Sequence, residues 1–202
     1  MKALNKEQLL SACEKSLSNA KDLIDDAELL FENKRFSRTL FLSLIASEEI
    51  GKHMIFVSTY INFVTEQEIN WKRFWKEITT HHEKLNLVNL VEELRFDTVS
   101  LDTVAASYIK TISHSKSMDK TKQKSLYMDF TKGYPHVPSE FISEKLAEEN
   151  LVLSKNRFMY ADALYNFLQE TKYLDSLTKS NFEERLEIAG LEDFIPLIKK
   201  KF

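Results

Sequence analysis

The 202-residue chain is nearly charge-balanced, with 28 basic and 31 acidic side chains for a net charge of −3, so bulk charge does not advertise nucleic-acid binding, though a local basic patch stays open. That length suits one domain with a sizeable core. One Gly and no Pro occur between Met1 and Lys132, so the turn punctuation of an all-β or α/β protein is missing and an all-α fold is expected.

The first helix is expected from about Lys6 to Phe31. Leu9, Leu10, Cys13, Leu17, Ala20, Leu23, Ile24, Ala27, Leu30 and Phe31 recur there at three- and four-residue steps. Asn5 is its N-cap, without a full capping box. No h-region follows Met1, so no secretory signal is expected. Cys13 falls on the apolar stripe, which makes it a core residue rather than a nucleophile. As the single cysteine it excludes an intrachain disulfide and fits a reducing cytoplasm.

The second helix, about Lys34 to Glu66, holds an energetic anomaly. The run Thr39–Val57 is apolar at both ends yet carries Glu48, Glu49, Lys52 and His53 at its centre. Those charges argue against a membrane span and need compensation inside a bundle. Helical spacing offers Glu48–Lys52 and Glu49–His53 at i,i+4 and Glu49–Lys52 at i,i+3. Gly51 should cost about 1 kcal/mol relative to Ala in a helix, and close approach of another helix is the expected reason for it.

A third, amphipathic helical region runs from Trp71 through His81-His82-Glu83-Lys84 to about Lys110, with a break expected between Asp97 and Asp102. Ser113 to Lys124 reads as an exposed lysine-rich connection. Its Lys116, Lys120, Lys122 and Lys124 suit a solvated loop, or contact with RNA phosphates or an acidic protein. Ser125 to Pro138 reads as an ordered loop. A long helix is expected from about Phe141 to Tyr173, and Leu177 to Phe202 supplies one or two short helices. The resulting architecture is a four-helix bundle over residues 1–175, with 176–202 as a helical extension packed on the same domain.

Much chemistry can be set aside. No Glu has a His three residues later, as paired-metal bundles require, and His81-His82-Glu83 lacks the H-E-x-x-H spacing of zinc proteases. Glu77 and His81 lie one turn apart, which a surface pair explains as well as a shared metal does. With no G-x-S-x-G, phosphate-cradling loop or zinc-ligand cysteine pair, no cofactor and no metal are expected.

Three segments together resemble the AbiV-type abortive-infection proteins, a branch of the HEPN superfamily. Ala46-Ser-Glu-Glu-Ile-Gly-Lys52 is similar to that branch's A-x-E-E-x-G-K signature. Phe74 to Leu85 resembles its aromatic lead-in to an H-x-x-K step, which falls on His81 and Lys84. Leu126-Tyr-Met-Asp129, followed by Pro138, resembles its Y-x-D segment and the proline before its last core helix. The resemblance spans about Ser37 to Tyr165 and implies an HEPN-like bundle, a homodimer, and a role in bacterial defence against phage.

Many HEPN proteins are metal-independent RNases whose motif is Arg, four to six residues, then His near the last core helix. This chain departs from that motif. No His lies beyond His136, and Arg73 stands too far before His81; only Lys76 has the spacing to His81 and His82. Lys is a partial substitute for a planar, bidentate Arg. The leading expectation is therefore a cytoplasmic homodimer that binds a phage-encoded or translation-related target, with Glu48, Glu49, Gly51 and Lys52 organising an interface or site. The first alternative is an RNase using His81, with Lys76, Arg73 or Lys84 as the cation and Glu48 or Glu49 as orienter. The second is an antitoxin-like regulatory bundle. No membrane partner is expected.

Overall fold

A computed structural model describes residues 2–81, 83–85, 115 and 117–170. Helix α1, Lys6–Glu32, starts on a complete capping box. The Asn5 side chain accepts from the Gln8 amide at 2.9 Å, and Gln8 Oε1 accepts from the Asn5 amide at 3.1 Å. The box is complete where only its Asn5 half is expected, since the Gln8 amide oxygen reaches back as well as a carboxylate does.

Helix α2, Phe36–Val64, follows after a tight turn in which Lys34 takes φ 57°. A connection this short makes the two helices antiparallel neighbours. Their seam buries Leu9, Cys13, Leu17 and Ala20 from α1 with Ile50, Val57 and Tyr60 from α2. Among the described residues, no helix is long and apolar enough to cross a membrane.

Helix α3, Trp71–Thr79, is capped by Asn70, whose side chain accepts from the Arg73 amide at 3.0 Å. Its aromatic residues are packing groups. Phe74 is buried and meets the rings of Phe56, Trp71 and Trp75 at 5.2–6.0 Å, and Trp75 Nε1 donates to the Lys2 carbonyl at 2.8 Å. This clamp fixes α3 against α2 and the N-terminus. The helix then breaks at Thr80, which is extended at ψ 116°, ahead of helical residues 81 and 83–85. The single long helix expected over this region is therefore interrupted earlier than its sequence suggested. The expected break between Asp97 and Asp102 lies outside the described residues.

Residues 117–126 are helical, not a loop. Two short strands follow, β1 (Asp129–Thr131) and β2 (Tyr134–His136), paired antiparallel with Phe130 opposite Pro135. Lys132 and Gly133 both have positive φ, 52° and 83°, which makes a two-residue hairpin connection of the type that matches strand twist. Pro135 is tolerated because each strand of a two-stranded ribbon has a free edge.

Pro138–Glu140 forms a single 3-10 turn, and α4 runs Glu144–Glu170. It begins later than expected because Ser143 caps it: Ser143 Oγ accepts from the Leu146 amide at 3.2 Å. Ala161 and Tyr165 of α4 close the core over α1 and α2. A second cluster joins Leu40 and Leu44 of α2 to Leu85, Met118, Ile142 and Ala147. The described residues are almost entirely helical, so the fold is all-α, as the composition implied. The expected extension 176–202 lies outside the described residues.

Candidate charged site around Glu48

Glu48 sits mid-way along α2 and is 2% exposed. Three nitrogens from two distant segments converge on its carboxylate. His81 Nδ1 lies 2.6 Å from Oε2, Lys84 Nζ lies 3.1 Å from the same oxygen, and Lys122 Nζ binds Oε1. Lys122 also meets Asp119 Oδ1 at 2.9 Å. Both lysines are buried, at 4% and 2% exposure, whereas the His81 side chain is 56% exposed.

Gly51 explains how residues 83–85 come so close. It lies one turn after Glu48, on the same face of α2. A Cβ at position 51 would stand 2.4 Å from the Lys84 carbonyl oxygen and 2.8 Å from its carbon. The missing side chain therefore lets the Lys84 backbone rest directly on α2, which is the close approach expected of this glycine. That contact brings His81 and Lys84 to Glu48.

Glu48 and Lys122 hold each other in their charged forms. Burial alone would raise the Glu48 pKa, but the hydrogen bonds from His81 and Lys122 and the charges of Lys122 and Lys84 outweigh it and hold the carboxyl below its ordinary value. Burial likewise works against the Lys122 ammonium, yet Glu48 and Asp119 hold its pKa above the ordinary lysine value. An ionised carboxylate only accepts, so the His81 Nδ1 must carry a proton.

A family model described as AbiV, of the HEPN_AbiV type, matches residues 8–158. The chain belongs to the HEPN_AbiV family. No curated protein and no solved structure matches it. The matched span holds α1 to α3, the whole Glu48 cluster, the hairpin and the first half of α4.

Other expected site residues divide clearly. Glu49 pairs with Lys52 at i,i+3, so that contact forms, while the i,i+4 alternatives do not. Glu48 turns to its three distant partners, and His53 turns to α1, where its Nδ1 meets the Cys13 carbonyl at 3.0 Å. Arg73 Nε is tied to Glu77 at 2.6 Å on the exposed side of α3, and His81 Nδ1 turns to Glu48. Lys76 is exposed on the same helix. Lys120 and Lys124 are exposed as expected, but Lys122 is not a loop cation available to RNA: it is buried on Glu48. Lys116 lies outside the described residues.

Cys13 and His53 are core groups. Burial pushes the Cys13 thiol up to about 12, far from a reactive thiolate. Burial also lowers the His53 pKa, outweighing its bond to the Cys13 carbonyl and the nearby Asp162 charge. The imidazole is 1% exposed and packs edge-on against Tyr165, with ring centroids 5.1 Å apart. A depressed histidine favours the unfolded state as it protonates. Its contribution is complete above the unfolded value of about 6.5 and is lost as pH falls toward the lower folded value. Thermal midpoints of wild type and His53→Gln should therefore converge as pH drops from about 7 to 5. Parallel curves would refute the assignment.

Proposed function

We propose that the protein is a phage abortive-infection protein that works by binding. It would act in the cytoplasm as a homodimer that engages a phage-encoded or translation-related target and arrests the infected cell's metabolism. The family assignment supports the defence setting. The observation that carries the binding mechanism is the burial of Lys84 and Lys122 on Glu48. A cation that steadies a phosphorane must face the substrate, and these two face a carboxylate inside the protein. The motif residues then organise the scaffold on which a binding surface is displayed.

One geometric feature favours a second reading, the metal-independent RNase. The Glu48–His81 bond fixes a half-exposed imidazole through its Nδ1, as an acid–base group would be oriented. The two readings part in one experiment. Purified wild type and His81→Ala are incubated with total cellular RNA without metal, and the same variants are tested for phage plating. Binding is expected to give no cleavage by either protein and undiminished protection by the variant. Cleavage that disappears with His81 would establish the RNase and sink the binding mechanism. A monomer in sedimentation at micromolar concentration would sink the homodimer.

A further inference from the structure

We propose that the excursion between Tyr127 and Phe141 is a binding surface for single-stranded RNA. The chain leaves the core at Ser125, which is fully buried, and returns at Ile142, at 7% exposure. Between them, Tyr127, Phe130, Tyr134 and Phe141 are 60%, 62%, 73% and 37% exposed, and Met128 and Val137 are about half exposed. These six make up more than half of the exposed large apolar residues among those described. Single exposed apolar side chains need no explanation, but a cluster of this density marks an interaction site.

The fold holds this cluster out on purpose-built geometry. The two-residue turn at Lys132 and Gly133 closes a hairpin with Phe130 and Pro135 on one face and Tyr134 and His136 on the other. A two-stranded ribbon has no apolar groove for a helix, but its faces can present rings as separate stacking platforms. Arg38 steadies the base of the hairpin by donating to the Leu126 carbonyl at 3.4 Å.

Charge complements the rings. Lys124 places its ammonium 5.9 Å above the Phe141 ring, and Lys120 shares that face of its helix at i,i+4. Lys132 stands exposed at the hairpin tip. Two carboxylates on the same excursion have partners within it: Asp129 accepts from the Phe130 amide at 2.7 Å, and Glu140 meets His136 at 2.7 Å. Planar groups beside exposed ammoniums fit a polyanion whose bases are free to stack. An RNA duplex hides those base faces. For its biological setting the proposal rests on the binding reading above, in which the RNA would be the translation-related target.

Fluorescence anisotropy with a labelled single-stranded oligoribonucleotide of mixed sequence tests it on the full chain. Wild type should bind in a salt-dependent manner. Phe130→Ser with Tyr134→Ser should weaken binding about tenfold or more, because each stacked base is lost separately. Lys120→Glu with Lys124→Glu should weaken it and flatten the salt dependence. Circular dichroism and thermal midpoints should be unchanged, since all four side chains are exposed. Absence of wild-type binding, unaltered affinity in both variants, or equal affinity for a duplex of the same sequence would overturn the proposal. Binding of polyglutamate in preference to RNA would also overturn it and point to an acidic protein partner. The binding reading itself is scored separately by phage plating, so either can fail while the other stands.

Discussion

Glu48→Gln is expected to destabilise the protein by about 3–5 kcal/mol, measured by denaturant unfolding at neutral pH. The shape is preserved, so the loss comes from charge alone. Lys84 and Lys122 would stay buried with no carboxylate to meet both of them, and the new amide nitrogen would aim a donor at donors. Asp119 would still reach Lys122, but its side chain is 38% exposed and it lies one turn away on the same helix. The complementary variant sharpens the test. Replacing the whole group, with Glu48→Leu, Lys84→Met and Lys122→Met, should regain most of that loss, because an apolar substitute for a buried ion network is often neutral or stabilising. If the single variant is as stable as wild type, the network does not hold the fold together.

The same variant should reshape the pH profile at both ends. The Glu48 carboxyl titrates below its ordinary range, so its contribution is complete above about pH 4.3 and is lost as pH falls through the lower folded value. The Lys122 ammonium is raised, so its contribution is complete below about pH 10.4 and is lost as pH rises through the higher folded value. Glu48→Gln should therefore flatten the acid limb below about pH 4 and weaken the alkaline one. An unchanged acid limb would mean that other carboxylates dominate acid unfolding.

What the sequence made legible follows the physics of each signal. Helices α1 and α2 declared themselves through apolar residues at helical steps, and their observed ends fall within two residues of those expected. The cost of burying Glu48 was legible as well, but its partners were not. Spacing arithmetic can only propose partners on the same helix, whereas His81 and Lys122 lie 33 and 74 residues away. Lys122 was hidden a second way. Its segment is polar enough to read as a loop, yet Ser115, Met118, Lys122 and Ser125 are all buried at three- and four-residue steps. The helical period was present, written in serine and lysine rather than in leucine. The hairpin escaped for a related reason: Pro135 reads as a strand breaker, and only the ribbon's free edge removes that objection.

Gly51→Ala should cost about 2–4 kcal/mol, although alanine is the better helix former by about 1 kcal/mol. The gain in propensity is local and the clash is not. The added methyl would meet backbone atoms of Lys84, with the carbonyl oxygen at 2.4 Å, where ordinary contact begins near 3.4 Å. A side chain could rotate away from such a contact, but a backbone must be pushed back by about 1 Å, and the segment carrying His81 and Lys84 moves with it. The bonds of both residues to the Glu48 carboxylate, 2.6 and 3.1 Å, stretch together, so the variant weakens the ion network as well as the packing. Gly133→Ala is the proper comparison. Its Cβ would meet nothing within 4 Å, and its penalty is the φ of +83° alone, about 1–2 kcal/mol, with no effect at Glu48. Two measurements decide the matter: unfolding free energy, and the imidazole resonances of His81 by NMR. Gly51→Ala should lower the first and shift the second, while Gly133→Ala should leave the His81 resonances in place. Wild-type stability and an unmoved His81 in Gly51→Ala would show that the seam has slack, and the glycine would then need another explanation than the seating of Lys84 on α2.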